Sequence, residues 1–230
     1  MSTSAPSIAI PQVRQASSVK MIATLGTVST ISGVLLVLVY LGTFDIIAEN
    51  KRKALEEAVF TVLPGAVERA TYAVSADGFT PIQGDTKDTD VVYAGYDESG
   101  KLVGVAITAA GQGYQDIISI LFGYDPVTES VIGYKLLGSK ETPGLGDKIG
   151  KDESFLASFR KLDVSLNSEG SGLKNAIEVI KDGKNKDWQI DGISGATISS
   201  KAVGAMLNTR CSQILPIVRK HVDQLQKVTP

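Results

Sequence analysis

The longest apolar stretch of the chain runs from Met21 to Phe44 and contains no charged side chain. A helix rising ~1.5 Å per residue would carry this stretch over about 36 Å, enough to cross a hydrocarbon core of roughly 30 Å. A cleaved signal peptide is the competing interpretation, but its apolar region is typically about 7–15 residues long, and no A-x-A-type cleavage site precedes Asp45. The pattern therefore predicts a tail at 1–20, a transmembrane helix at 21–44 and a folded domain at 45–230.

Beyond the apolar stretch, the pattern changes to short segments rich in β-branched residues and separated by turns. Val91 to Tyr96 and Lys101 to Ala109 flank Asp97-Glu98-Ser99-Gly100, which is typical of a hairpin turn. Ile117 to Tyr124 and Val131 to Leu137 repeat this plan around a second turn-prone segment. Four successive strands predict a mainly antiparallel sheet with helices packed against it, which is an α+β fold.

The predicted helices of this domain lie before and after the hairpins. Ile46 to Leu63 contains good helix formers, stops at Pro64-Gly65 and presents apolar residues that could cover a sheet. A final helix is expected to open near Thr197 and to be broken or kinked at Pro216. The remaining predicted elements are a short helix at Ser154 to Leu162 and a strand at Ala176 to Ile180 before a turn at Asp182-Gly183.

Composition and charge exclude several classes of function. Of the 230 residues, 43% are hydrophobic and 21% are charged, and the net charge of −2 comes without any long basic run. Nucleic acid is therefore not an expected partner. Cys211 is the only cysteine and His221 the only histidine, so we expect no internal disulfide, no metal site and no iron–sulfur cluster. Any redox role must rest on an organic cofactor.

The charges beside the apolar stretch do not decide its orientation. Arg14 and Lys20 precede it, whereas Lys51, Arg52 and Lys53 follow it, a count of two against three. A long domain that follows a membrane helix can also be translocated largely regardless of flanking charge. The positive-inside rule therefore leaves the side of the membrane open.

The chemistry of the chain is expected in the segment Asp191-Gly192-Ile193-Ser194-Gly195-Ala196-Thr197. Two glycines precede a predicted helix start, where unpaired backbone N–H groups and the positive end of the helix dipole suit a phosphate. A plain structural interpretation, in which Ser194 or Thr197 only caps the helix, stays open from the spacing alone.

A second glycine-rich loop, Gly138 to Ile149, follows the last strand of the second hairpin. Pro143 fixes one φ angle, Gly144 and Gly146 permit close backbone approach, and Leu145 offers an apolar side chain. Such a loop could hold the face of a flat ring, although taken alone it could also be an ordinary connection from strand to helix.

Together the two motifs resemble a known family. Asp191 to Thr197 looks like the D-x-x-[ST]-G-A-[TS] signature at which a flavin transferase attaches FMN. Glu-Thr-Pro-Gly-Leu-Gly at 141–146 paired with it resembles the FMN-binding domain shared by the G subunit of Rnf electron-transport complexes and the C subunit of the Na⁺-translocating NADH:quinone reductase. The resemblance covers most of the chain, and Gly146-Asp147-Lys148 together with the modest length favours the Rnf-type member.

This resemblance implies a covalent FMN held by a phosphoester at Thr197, with Asp191 belonging to the modification motif. It also implies an external, metal-dependent transferase that acts on FAD, and no catalytic residue or metal site of the chain's own. The tail at 1–20 would be cytoplasmic, and the soluble domain would lie on the extracytoplasmic (periplasmic) side of the bacterial inner membrane. The other residues placed near the cofactor are Glu141, Thr142, Gly144, Leu145, Ser194, Gly195 and Ala196.

The implied function is a relay of electrons inside a membrane complex. Rnf complexes couple electron transfer between ferredoxin and NAD to ion movement, and the partners would be the other membrane and peripheral subunits. Three alternatives stay open: a C subunit of the Na⁺-translocating NADH:quinone reductase, an anchored regulatory FMN-binding module, and an anchored interaction domain without cofactor.

Overall fold

The computed structural model describes residues 17–82, 89–181 and 183–226. Most of the predicted tail and Asp182 of the predicted turn lie outside this part. The chain divides into one unit that ends at Lys51 and a second that begins at Arg52. The first unit is helical from Ser18 onward, its apolar side chains are exposed, and this helix is long and apolar enough to cross a membrane.

Helix α1 spans Ser18–Val62, so the predicted membrane helix and the predicted helix after it form one element without an interruption at Asp45. The second unit then contains a seven-stranded sheet in the order β2-β1-β3-β4-β5-β6-β7. Every neighbouring pair in this sheet is antiparallel. Its strands are β1 (Glu68–Ser75), β2 (Gly78–Ile82), β3 (Val91–Tyr96), β4 (Leu102–Gln112), β5 (Ile117–Asp125), β6 (Ser130–Gly138) and β7 (Leu162–Asp163).

The remaining elements lie after β6 in the chain. A small parallel sheet joins β8 (Glu178–Ile180) to β9 (Gln189–Asp191). Helix α3 (Thr197–His221) comes next and continues through Pro216, so the predicted break there is wrong. The predicted helix at 154–162 is shorter than expected, because it consists of α2 (Glu153–Ala157) and a 3₁₀ turn at Ser158–Arg160 before β7 begins. Two further 3₁₀ helices lie at Gly146–Gly150 and Val222–Leu225.

The two faces of the sheet are covered by different helices. Alternate strand residues such as Val105, Ile107 and Phe122 join the larger core together with Val203, Leu207 and Leu215 of α3. The residues between them, such as Ala106 and Leu121, pack with Val59, Val62 and Leu63 at the end of α1. The two-residue period of a strand sends neighbouring side chains to opposite faces, which produces this division. The α+β architecture predicted from the pattern is confirmed.

Four glycines make room for the end of α1 on its face of the sheet. Gly95 pairs with Gly104, and Gly123 pairs with Gly133. A Cβ at Gly123 would lie 2.0 Å from the carbonyl oxygen of Val62, and one at Gly133 would lie 2.4 Å from the same atom. We call these four residues the glycine groove. Neither Gly123 nor Gly133 has a positive φ, so glycine is needed there for space.

Candidate functional site

The two glycine-rich motifs meet at one cleft of about 320 Å³. Such a volume lies at the lower end of the range for small-molecule sites, roughly 300–1,000 Å³. The loop after β6 contributes one wall, and the start of α3 contributes another. The turn between β4 and β5 contributes a third through Tyr114. The lining residues are Tyr114, Glu141, Thr142, Leu145, Gly146, Gly195, Ala196, Thr197, Ile198 and Ser199.

Helix α3 starts without a side-chain cap. Its N-cap residue is Ala196, which has no acceptor atom, and no side chain accepts a capping hydrogen bond there. The alternative in which Ser194 or Thr197 serves only as a cap is therefore wrong. The first N–H groups of a helix have no partner within the helix, so this end offers donors toward the cleft.

Thr197 is the first residue of α3, and its side chain is half-buried at the cleft. In the part of the chain that the structure describes, its hydroxyl makes no hydrogen bond. By contrast, Thr209 on the same helix bonds back to the carbonyl of Ala205 at 3.0 Å. The hydroxyl of Thr197 thus lies at the cleft without a hydrogen-bond partner among the described residues.

Two glycines with positive φ shape the walls. Gly195 has φ +82°, and a Cβ built on it would lie 3.6 Å from Cδ2 of Leu145, so the two motifs lie close together at this point. Gly144 has φ +78°, and its N–H donates to Oδ1 of Asp147 at 2.7 Å. Residues other than glycine rarely adopt these angles. Gly144 therefore turns the loop so that Leu145 can face α3, although Gly144 itself does not line the cleft.

Glu141 lines the cleft, is buried and makes hydrogen bonds to two different elements. Its Oε1 accepts from the backbone N–H of Gln115 at 2.9 Å, and its Oε2 accepts from the hydroxyl of Ser199. Burial raises the pKa of this carboxyl group, but the hydrogen bonds from Ser199 and from the backbone around Gln115 outweigh it and hold the pKa below its usual range. Glu141 is therefore ionised at neutral pH.

The carboxylate of Glu141 is enclosed by two further glycines. A Cβ at Gly113 would lie 2.5 Å from its Oε1, and one at Gly146 would lie 2.4 Å from its Oε2. Any larger residue at either place would push the carboxylate out of position. The side chain of Thr142, the next residue, donates to Oε1 of Gln115 at 3.2 Å.

Three predicted site residues lie outside the lining of the cleft: Gly144, described above, Asp191 and Ser194. Asp191 ends β9, and its carboxylate accepts from the hydroxyl of Ser154 and from the backbone N–H of Lys184. Its own N–H donates to the hydroxyl of Ser158 at 3.1 Å. These hydrogen bonds hold the end of β9, from which the chain leads into α3. Ser194 is exposed and does not line the cleft.

Sequence reasoning missed three residues that line the cleft. Tyr114 is 67% exposed and comes from a turn far away in sequence. Ile198 is exposed beside Thr197, and Ser199 is buried against Glu141. A large exposed aromatic residue after Gly111-Gln112-Gly113 was the one local signal for Tyr114, whereas the contact of Ser199 spans 58 positions and has no local signal.

The described residues hold no group of three or more His, Cys, Asp or Glu side chains that could bind a metal ion. His221 is half-buried, and its Nε2 is shielded from solvent. Lys201 is exposed and lines a different cavity beside Val179. A larger cavity of about 720 Å³ between β4 and α3 contains none of the predicted site residues.

Comparison with known proteins agrees with this geometry. The FMN-binding domain family matches residues 113–211, a range that contains both motifs and Tyr114. The G subunit of the ion-translocating oxidoreductase complex of Methanosarcina acetivorans is 31% identical over 192 residues, which cover 80% of this chain and 87% of that protein. The chain belongs to the family of G subunits of ion-translocating oxidoreductase complexes.

Membership in the G-subunit family confirms the resemblance drawn from the two motifs and the preference for its Rnf-type member. A second relative in this family comes from the proton-translocating ferredoxin:NAD(+) oxidoreductase complex of Clostridium ljungdahlii. This G subunit is 30% identical over 173 residues, 75% of this chain and 78% of that protein.

The fold is also that of the C subunits. NqrC of Shewanella oneidensis superposes with a TM-score of 0.59 at 16% identity, covering 77% of this chain and 98% of that one. The C subunit of the Na⁺-translocating NADH-quinone reductase of Parabacteroides distasonis gives 0.57 at 21% identity, covering 83% and 98%.

Proposed function

We propose that the chain is a membrane-anchored electron carrier that holds FMN through a phosphoester at Thr197, within an Rnf-type complex that transfers electrons between ferredoxin and NAD and translocates ions. The observation that carries this proposal is the uncommitted hydroxyl of Thr197, which lies at an uncapped helix start inside a cleft built from both motifs. The names of the G-subunit relatives support the setting in an ion-translocating complex.

The residues of the cleft fit an FMN group. A phosphate on Thr197 would lie beside the free N–H groups of α3 and the positive end of its dipole. Leu145, Ile198 and Tyr114 supply apolar surface for a flat ring, and Gly195 leaves space beside Leu145. Bound FMN supplies the one- and two-electron chemistry, while the chain binds it and sets its surroundings.

Attachment requires a second protein in this proposal. A threonine hydroxyl is a weak nucleophile, and no base hydrogen-bonds to Thr197 within the described residues. A flavin transferase acting on FAD would form the bond from Oγ1 of Thr197 to the phosphorus of the FMN half. The bond broken is the pyrophosphate P–O bond, AMP leaves, and the hydroxyl proton is released. Thr197 is thus the acceptor of a modification, and the remainder of the cleft receives the product.

The membrane part of the proposal rests on α1. Its 21–44 segment would anchor the chain in the cytoplasmic membrane, and the domain from 45 onward would lie on the extracytoplasmic side. A covalent bond keeps the cofactor from being lost to the medium on that side. Protease added to sealed, right-side-out spheroplasts should digest the domain; complete protection, with digestion only after lysis, would place it in the cytoplasm.

The attachment is tested by co-expression of the full-length chain with an active flavin transferase. Denaturing gels viewed under ultraviolet light should show a fluorescent band for the native chain and none for Thr197→Ala. Thr209→Ala, a threonine change on the same helix outside the cleft, is the matched control and should stay fluorescent. A fluorescent Thr197→Ala band, or no fluorescence in any variant, would contradict the assignment.

The relay is tested in the purified complex. The flavin of this chain should be reduced and reoxidised at rates no slower than turnover, and the Thr197→Ala complex should lose electron transfer while retaining its subunits. A flavin that stays oxidised during turnover would instead indicate a regulatory module.

A further inference from the structure

The turn between β4 and β5 is joined to the loop after β6 by three successive residues. Lys140 forms an ion pair with Asp116 at 2.9 Å, Glu141 accepts from the N–H of Gln115 at 2.9 Å, and Thr142 donates to the side chain of Gln115 at 3.2 Å. The turn itself is closed by a bond from the N–H of Gly113 to the carbonyl of Asp116 at 2.9 Å. Tyr114 is carried by this turn, so its place at the cleft depends on these contacts.

The three contacts differ in strength. Both partners of the Lys140 pair are exposed, with side-chain exposures of 82% and 38%, so water screens it. Thr142 is also accessible, and its bond is long. Glu141 is 5% exposed and ionised, and hydrogen bonds to a charged, desolvated acceptor are the strong ones. Glu141 is therefore the contact that fixes the turn.

The other carboxylate oxygen of Glu141 reaches α3. The hydroxyl of Ser199, buried in the first turn of that helix, donates to Oε2. Ser199 lies two residues after Thr197, so one carboxylate links the turn that carries Tyr114, the loop that carries Leu145 and the helix that carries Thr197. Glycine at 113 and 146 leaves room for the carboxylate between these elements, because an added Cβ would lie 2.5 Å from Oε1 or 2.4 Å from Oε2.

We propose that Glu141 and Ser199 are positioning residues that hold the three walls of the cleft together and thereby keep Tyr114 in its place at the cleft. Glu141 then acts on the cofactor through Tyr114 and Leu145, because its hydrogen-bonding oxygens are directed at the protein. The cofactor half of this proposal rests on the proposed function, whereas the linkage of the walls does not.

The linkage is tested without any flavin, by hydrogen exchange and mass spectrometry of the full-length chain in detergent. Exchange in peptides covering 113–117 should rise at least about tenfold in Glu141→Ala, because a hydrogen bond to a buried charge is lost. It should rise less in Ser199→Ala, which keeps the bond to Gln115. Glu141→Gln should recover most of the protection, since its amide oxygen can accept from Gln115 and its amide nitrogen can donate to Ser199.

Two controls isolate the effect. Lys140→Ala removes the exposed ion pair to the same turn and should leave its exchange close to native. Asp97 holds the β3–β4 turn, at the other end of β4, by accepting from the N–H groups of Ser99 and Lys101. Asp97→Ala should therefore raise hydrogen exchange in that turn only. Native exchange at 113–117 in Glu141→Ala, or a Gln variant as loose as the Ala variant, would overturn the linkage.

The cofactor half is tested on protein loaded by the transferase. Iodide should quench the fluorescence of attached flavin more strongly in Tyr114→Ala and Glu141→Ala than in the native chain, and Tyr114→Phe should behave as native. Equal quenching in all variants would overturn the role of Tyr114 as a wall. Absence of flavin from every variant would overturn the proposed function, while the exchange experiment would still decide the linkage.

Discussion

The glycine groove under the end of α1 gives a sharp prediction about stability. Replacing Gly123 by alanine places a Cβ 2.0 Å from the carbonyl oxygen of Val62, 2.8 Å from its carbonyl carbon and 2.9 Å from Cδ2 of Leu63. Two of these three atoms belong to the backbone of α1, which no change of rotamer can move. The helix end must therefore lift from the sheet or the strand must bend.

The loss of stability in Gly123→Ala can be estimated from the packing that the change would strain or remove. Overpacking typically destabilises by about 1–3 kcal/mol, and a clash with backbone falls at the upper end. Lifting the helix end would also uncover Val59, Val62 and Leu63, which are fully buried. For a domain of this size, about 1 kcal/mol shifts the melting temperature by roughly 2–4 °C. Gly123→Ala should thus lower the melting temperature by roughly 6–12 °C.

Thermal unfolding of the full-length chain in detergent measures this effect through the fluorescence of Trp188, its only tryptophan. Gly138→Ala is the matched control, because Gly138 ends β6 of the same sheet, has no positive φ and has nothing within 4 Å of an added Cβ. It should melt within about 1 °C of the native chain, as surface substitutions usually do. Equal melting temperatures for the two variants would refute the account of the groove.

Three further predictions follow from the packing of α3 and the cleft. The pKa of Glu141 is lowered in the folded state, so its contribution to stability is present above the unfolded value of 4.5 and is lost as pH falls through the folded pKa. The free energy of unfolding, measured as pH is lowered, should therefore fall less in Glu141→Gln than in the native chain. Equal falls in the two proteins would contradict this. Burial raises the pKa of the Cys211 thiol to about 12, so iodoacetamide at pH 8 should label it only after unfolding, as mass spectrometry can check. Asn208 accepts from the N–H of Ile177 at 2.7 Å and donates to its carbonyl at 2.8 Å; Asn208→Ala should cost about 1–3 kcal/mol in urea unfolding, and a loss below about 0.5 kcal/mol would contradict it.

The hairpins could be predicted from sequence because their signals are local. Asp97 stabilises its own turn by accepting hydrogen bonds from the N–H groups of Ser99 and Lys101. Such contacts join residues close in sequence, so a local pattern predicts them. The hairpin of β1 and β2 was missed, since β1 alternates too weakly between buried and exposed positions to stand out. Strand β7 has only two residues and exists because it pairs with the start of β6.

Continuity within the helices was harder to predict. The pattern around Asp45 suggested a boundary, because a charge ends the apolar stretch, yet helix propensity continues through the polar segment that follows. Pro216 suggested another boundary, but α3 keeps Ile214, Leu215 and Val218 in the core on both sides of it. That burial outweighs the one backbone hydrogen bond that proline removes.

The candidate site could be predicted in part. Each motif is a short run of adjacent residues with characteristic glycines. Thr197 and Leu145 could therefore be picked out as candidate site residues from the sequence. Their meeting in one cleft depends on the antiparallel sheet and on the packing of α3 across it. Tyr114 and Ser199 enter the cleft only through that packing, which no local pattern encodes.

The measurement that tests the central claim most directly is the mass of the peptide containing Thr197, taken from the chain co-expressed with a flavin transferase, beside the same peptide from Thr197→Ala. We predict an added mass of FMN less one water on the native peptide, lost from the variant, with fragmentation assigning it to Thr197. An unmodified peptide, with the transferase active on a known acceptor, or a flavin on a different residue, would contradict the account.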